Sequence, residues 1–287
     1  VPENHRFPME KYLLLPEQLL YEGTLSHDQF FCPPALPPDH MRLVHDAEYV
    51  QRMLNNTLSD KELRSIGFPR SEALIHRERV IMSGTVQAAE YALEHGIAAN
   101  IAGGTHHAFA GHGEGFCLMN DFALAAAFLL REKKIQRALI FDLDVHQGNG
   151  SASIFAGDAR VFTFSMHGRN NYPHRKEKSD IDVELDDHTG DAEYLELCRY
   201  WLPKALKLSL PDIVFYLCGA DVLATDKLGR LALSREGCKQ RDRIVLESCH
   251  RQGIPVCFAL GGGYSPHIRD IVEAHANTFR LAAEIYG

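Results

Sequence analysis

The stretch Ala138-Leu-Ile-Phe-Asp-Leu-Asp-Val-His-Gln-Gly-Asn149 constrains this chain more than any other. It opens as a short apolar run suited to a buried strand, and Asp142, Asp144 and His146 then interrupt it at alternate positions. On extended backbone a two-residue spacing turns all three side chains to one face. Carboxylates are costly to bury unpaired. Two of them with an imidazole at the end of a buried strand make sense around a divalent cation such as zinc. A pair of salt-bridged core carboxylates is the plainer alternative. Gly148 and Gly150 then open a turn, so the polar face falls at a strand's carboxyl end, where open α/β sheets keep their sites.

The rest of the chain supplies the sheet that such a strand needs. Short apolar runs at 97–101, 137–144, 160–165, 181–185, 212–219 and 254–260 read as strands. Helical patterns fall between and around them, at 10–18, 46–56, 71–94, 122–133, 192–208, 234–252 and 266–286. Pro203 predicts a kink or break in the fifth of these helices. Asp121 is expected to cap the helix at 122–133, and Gly96 to stop the long one before it. Residues 1–45 are rich in Pro and His and read as mostly irregular, and 64–71 as a turn. Strands alternating with helices imply an α/β fold around a mostly parallel sheet. With 287 residues, 45% of them hydrophobic, the chain can bury a sizeable core. No linker, repeat or low-complexity tract divides the chain, so residues 1–287 are read as a single domain.

A net charge of −8 argues against a nucleic-acid surface. The seven cysteines form no C-x-x-C pair and sit mostly in apolar segments, as reduced core thiols do in a cytosolic protein. No run approaches a membrane span and no signal peptide is visible, which makes the cytoplasm the expected location. The first residue is Val1 rather than Met, which leaves room for an upstream element.

Two further strand ends and one glycine turn carry chemistry. Asp221 follows the run Val214-Phe-Tyr-Leu-Cys218; alone it reads equally well as a cap, but beside Asp144 and His146 it becomes a third ligand. Two carboxylates and one imidazole leave a coordination position open, as a catalytic site requires. His106 and His107 end another strand after Gly-Gly-Thr. A lone histidine is usually a satisfied structural residue; a pair at a strand end, in a chain with such a triad, suits acid/base work. Asp142 and Asn149 are available to hold one imidazole each, the carboxylate keeping its histidine cationic and the amide leaving the other neutral. Gly261-Gly-Gly-Tyr264 lacks the spacing and lysine of a phosphate loop. It reads instead as a flexible turn presenting the Tyr264 phenol to a developing oxyanion.

Together, Gly103-Gly-Thr-His-His-Ala108, Gly115-Phe-Cys-Leu-Met-Asn-Asp121, Phe141-Asp-Leu-Asp-Val-His-Gln-Gly-Asn-Gly150, Gly219-Ala-Asp221 and Gly261-Gly-Gly-Tyr264 resemble the zinc-dependent histone deacetylase family. The likeness runs in order along almost the whole chain and is strongest to the class IV branch and its bacterial relatives. It implies an arginase-deacetylase fold, with a central eight-stranded parallel sheet flanked by helices on both faces. It implies removal of acetyl or longer acyl groups from lysine side chains, on a protein, peptide or small molecule. Asp144, His146 and Asp221 would bind Zn2+ (or Fe2+), and His107 would be the base and then the acid. His106 would be its electrostatic partner, and Tyr264 would polarise the carbonyl. Gly115, Phe116 and, at the rim, Leu228 would line the acyl-lysine tunnel, with Cys117 an inert wall residue. A structural K+ would lie at Asp142, Ser165 and the main chain around Asp144, His146 and Met166. Asn149 stands where class I members carry Asp, which puts rate and pH optimum in question. Arginase-like kin need a second pair of carboxylates where this chain has Gly148 and Leu223, so one metal is favoured. Polyamine deacetylases are expected to carry Glu where Leu228 falls. An acylpolyamine hydrolase and a silent acyl-lysine-binding protein are the alternatives.

Overall fold

The computed structural model describes residues 5–287; of the irregular segment expected at 1–45, residues 1–4 lie outside the described residues. Six strands form one sheet: β1 Ile97–Asn100, β2 Ala138–Asp142, β3 Val161–Gly168, β4 Ile181–Leu185, β5 Ile213–Leu217 and β6 Val256–Ala259. Before the sheet come α1 Lys11–Tyr21, α2 Pro38–Met41, α3 Ala47–Leu54, α4 Asp60–Ile66 and α5 Glu72–His95. Between and after the strands lie α6 Asp121–Arg131, α7 Asn149–Ile154, α8 Asp191–Ser209, α9 Arg235–Arg251 and α10 Ile268–Tyr286.

The sheet order is β1-β6-β5-β2-β3-β4, and every neighbouring pair is parallel. The chain therefore leaves β2 toward one edge through β3 and β4, then returns and leaves β5 toward the other edge through β6. That reversal makes the β2–β5 boundary a topological switch point, where the loops after the two strands diverge and open a crevice. Asp142 lies level with Leu217 there, so the segments after both strands start side by side.

Alternation along β2 serves two cores. Leu139 and Phe141, with Leu143 and Val145 beyond them, pack with Tyr194, Leu202, Val245 and Phe279 beneath α1, α8, α9 and α10. Ala138 and Ile140 pack with Tyr49, Met82, Phe122 and Leu129 beneath α3, α5 and α6. Helices thus cover both faces, and the continuous apolar runs of the strands follow from burial on both sides.

Four expectations are corrected. The sheet has six strands among the described residues, not the eight that the resemblance implies. Each apolar run already forms its strand; residues 23–37 carry Pro33, Pro34 and Pro37, which cannot donate to a ladder, and the loop after β5 adds only the single bridge Leu223–Leu233. The 64–71 segment is not all turn, because α4 extends to Ile66 behind a Ser59–Glu62 capping box. Helix α8 runs unbroken through Pro203, since Leu202, Ala205 and Leu206 bury against the core and outweigh one missing helix bond. Finally, Asn120, not Asp121, caps α6 by accepting from the Ala123 N–H at 3.1 Å. Asp121 turns back to accept from the Gly104 and Thr105 N–H groups at 3.0 and 2.8 Å, which fixes the loop ahead of the histidine pair.

Candidate metal centre and histidine pair

At the switch point, Asp144 and His146 follow β2 and Asp221 follows β5, all three buried. One donor atom from each lies within 4.8 Å of the others. His146 Nδ1 sits 3.0 Å from Asp144 Oδ1 and 3.2 Å from Asp221 Oδ2. The remaining oxygens are held by the main chain: Gly262 N–H donates to Asp144 Oδ2 at 2.8 Å and Val145 N–H to Asp221 Oδ1 at 3.0 Å. A Cβ at Gly262 would collide with the Asp221 carboxylate, and Gly261 and Gly263 have φ of 60° and 152°. The Gly-Gly-Gly turn expected to be flexible is therefore a cradle pressed onto both carboxylates, and that contact is why it is built of glycine.

The electrostatics of this cluster fit a divalent cation. Burial, and then the charge of Asp144, pushes the Asp221 carboxyl up to about 7. Burial opposes the His146 cation, yet its hydrogen bonds to Asp144 and Asp221 raise it to about 10. Two inward carboxylates are thus competing for one imidazole proton, a conflict that a cation ligated by all three would remove. Among the described residues this is the one cluster with metal-ligand geometry. Gly148 and Leu223, where a second metal would need carboxylates, offer none.

Next to it stand His106 and His107, ring centroids 4.1 Å apart, with His107 5.9 Å from His146. Each imidazole has the partner anticipated for it. His106 Nδ1 donates to Asp142 Oδ2 at 2.6 Å and His107 Nδ1 to Asn149 Oδ1 at 2.7 Å. Burial disfavours both cations, but the charge of Asp142 overrides it at His106, which rises to about 9. At His107 burial is joined by the repulsion of His106 and His146, and its pKa falls well below the usual imidazole range. Their surroundings thus push the two rings in opposite directions, His106 toward the cation and His107 toward the neutral form.

A chamber opens onto this group, lined by Phe7, Gly115, Phe116 and Tyr264 together with His106, His107, Asp144 and His146. The Tyr264 N–H donates to Asp226 Oδ2 at 2.6 Å, and burial, followed by Asp221 and Asp144, holds its phenol protonated. Leu228 is not among the lining residues; its carbonyl accepts from Asn171 Nδ2 at 2.8 Å. Burial raises the Cys117 thiol well above its ordinary range, which leaves it inert. Asp142 and Ser165 are level on β2 and β3, with Met166 next, so the residues assigned to a monovalent cation lie together.

Several contributors were not legible. Lys11 is fully buried, and its ammonium donates to the Gly261 carbonyl at 2.8 Å, with burial lowering it to about 8. Arg241 donates to Gly219 and Leu143 carbonyls at 2.7 and 3.4 Å, bracing the ends of β5 and β2. Both sit on helices in charged or mixed surroundings that resemble a solvated face. Asp226 had a visible signal, an acidic residue after a strand-end turn.

A parallel sheet with a carboxylate–imidazole cluster at its carboxyl end is in keeping with the arginase-deacetylase superfamily. The histone deacetylase domain matches residues 5–279, and the chain belongs to that family. It is 43% identical over 286 residues to an uncharacterized protein of Picosynechococcus sp., spanning 100% of this chain and 95% of that one. It is 30% identical over 269 residues to histone deacetylase 2 of Arabidopsis thaliana, spanning 91% and 70%. Its fold superposes on a histone deacetylase homologue from Aquifex aeolicus with a TM-score of 0.82 at 23% identity, covering 97% of this chain and 79% of that one.

Proposed function

We propose that the protein is a metal-dependent hydrolase that removes acyl groups from lysine side-chain amides. The observation that carries this reading is the pairing of two histidines, one bonded to a carboxylate and the other to an amide, beside one carboxylate–imidazole cluster in a single chamber. Asp144, His146 and Asp221 would hold one divalent cation, zinc or ferrous iron. When bound, it supplies Lewis acidity toward the acyl carbonyl and lowers the pKa of water.

The chain's own residues do the rest. His107, neutral and with its Nδ1 proton engaged by Asn149, keeps Nε2 free to take a proton from the attacking water and return it to the departing lysine nitrogen. His106, kept cationic by Asp142, holds positive potential where negative charge develops. The Tyr264 phenol donates a hydrogen bond to the carbonyl oxygen. Phe7 and Phe116, ring centroids 5.5 Å apart, flank the chamber with apolar surface suited to lysine methylenes. Among the described residues Asp144 is the one carboxylate lining it, so a second ammonium finds no partner, which favours acyl-lysine over acylpolyamine. A potassium ion at Asp142, Ser165 and Met166 belongs to the same reading.

Hydrolysis of a fluorogenic acetyl-lysine peptide, with and without a chelator, tests it. His107→Ala should lower kcat by roughly 10²–10⁴-fold with metal content unchanged. Undiminished turnover in that variant would refute the assignment.

A further inference from the structure

The two histidine dyads are not built alike. His106 meets a carboxylate directly, whereas His107 meets the Asn149 amide, and that amide meets a carboxylate on its far side. Asn149 Nδ2 donates to Glu114 Oε1 at 2.7 Å. Glu114 lies in the loop that also supplies Gly115 and Phe116 to the chamber, its side chain largely covered at 17% exposure. Tyr172 packs perpendicular to the His107 ring, with ring centroids 5.0 Å apart.

An amide has two ends of nearly equal shape, and only its partners decide which end faces which way. A carboxylate can only accept, so Glu114 admits the NH2 end and forces Oδ1 toward His107. Oδ1 in turn accepts, so the His107 proton must sit on Nδ1 and the Nε2 lone pair must face the chamber. With the amide reversed, its NH2 would point at Nδ1, the imidazole proton would move to Nε2, and the base would be lost. We propose that Glu114 is a positioning residue for His107: it sets the Asn149 amide, and through it the tautomer and part of the negative field that a directly bonded aspartate would supply. This rests on the deacylase reading for its effect on rate, but not for its effect on tautomer.

Four variants of the metal-loaded enzyme test it: Glu114→Gln, Glu114→Ala, Asn149→Asp and the Asn149→Asp/Glu114→Gln double variant. Metal content and Tm are measured for each. Glu114→Ala should lower kcat by roughly tenfold or more, in the range of lost supporting partners, with KM little changed. In 15N-histidine spectra, His107 should move from the Nδ1-protonated tautomer toward a mixture. The decisive readout is a change of sign. With Asn149 in place, Glu114→Gln should reduce kcat; in the Asn149→Asp background, where two carboxylates would abut, the same substitution should raise it. A purely structural role gives the same direction in both backgrounds, and that result, or an unchanged tautomer in Glu114→Ala, overturns the proposal. A wild-type enzyme that turns over no acyl-lysine substrate sinks the deacylase reading instead, while the tautomer still decides the role of Glu114.

Discussion

Two groups of buried charge sit close together in this molecule and are finished differently. Behind the β2 and β5 ends, Asp242 Oδ1 accepts from Arg241 Nε at 2.8 Å and from Tyr216 at 2.5 Å, and Oδ2 accepts from Thr278 at 2.7 Å. Arg241 directs another donor at the Gly219 and Leu143 carbonyls. One cation meets one anion, and both carboxylate oxygens are bonded. In front of those same strand ends, Asp144 and Asp221 converge on a single imidazole, and the charge of Asp144 makes Asp221 harder to ionise. The contrast separates scaffold from site: buried charge matched one to one braces the fold, and buried charge left short of a cation marks where a ligand belongs.

That contrast can be broken from either side. Arg241→Met leaves the buried Asp242 carboxylate without its cation, held by Tyr216 and Thr278 alone, so urea unfolding should show a loss of about 3–5 kcal/mol, and a paired Arg241→Met/Asp242→Leu change should recover most of it. His45 is a neutral counterpart, donating to the Phe109 carbonyl at 2.9 Å and accepting from the Asn120 N–H at 3.0 Å. Burial lowers its pKa from 6.5 to about 4. The unfolded chain therefore binds the proton first, so His45 contributes stability in full above pH 6.5 that is lost as pH falls toward 4, up to about 3 kcal/mol. His45→Gln should flatten that part of the stability–pH profile; an unchanged slope would show that other groups set it. Asp221→Asn should act with two signs. It should abolish stoichiometric metal binding, yet stabilise the chelated protein by about 1–2 kcal/mol by removing one of two competing carboxylates. Equal destabilisation with and without chelator would erase the distinction between the two clusters. At the small end, the exposed pair Arg160–Asp158, 2.7 Å apart, should contribute less than about 0.5 kcal/mol by double-mutant cycle.

The site was more legible than the brace, for a physical reason. Asp142, Asp144, His146 and Asp221 interrupt or follow apolar runs, and a polar residue at a buried strand's end stands out locally. Arg241 and Asp242 lie in Arg-Asp-Arg on a helix full of charge, and which positions turn inward depends on packing that no local pattern states. His45 and Lys11 were hidden for the same reason. The six apolar runs announced the six strands, whereas eight came from likeness to other chains and not from any run of residues here. Strand order was not readable, because it is decided by crossovers between distant segments. Glu114 passed unnoticed among glycines, since its meaning depends on an amide 35 positions away.

The reversal of winding between β2 and β5 has a mechanical consequence. The sheet's two halves part company along that seam, and Leu143 N–H to the Leu217 carbonyl, at 3.1 Å, is among the last main-chain links across it. An ion gripped by Asp144 and His146 on one side and Asp221 on the other would act as a rivet at the open end of a zip. Loading the ion should slow deuterium uptake at the neighbouring amides, so the same atoms that serve the chemistry also decide how readily the molecule splays apart.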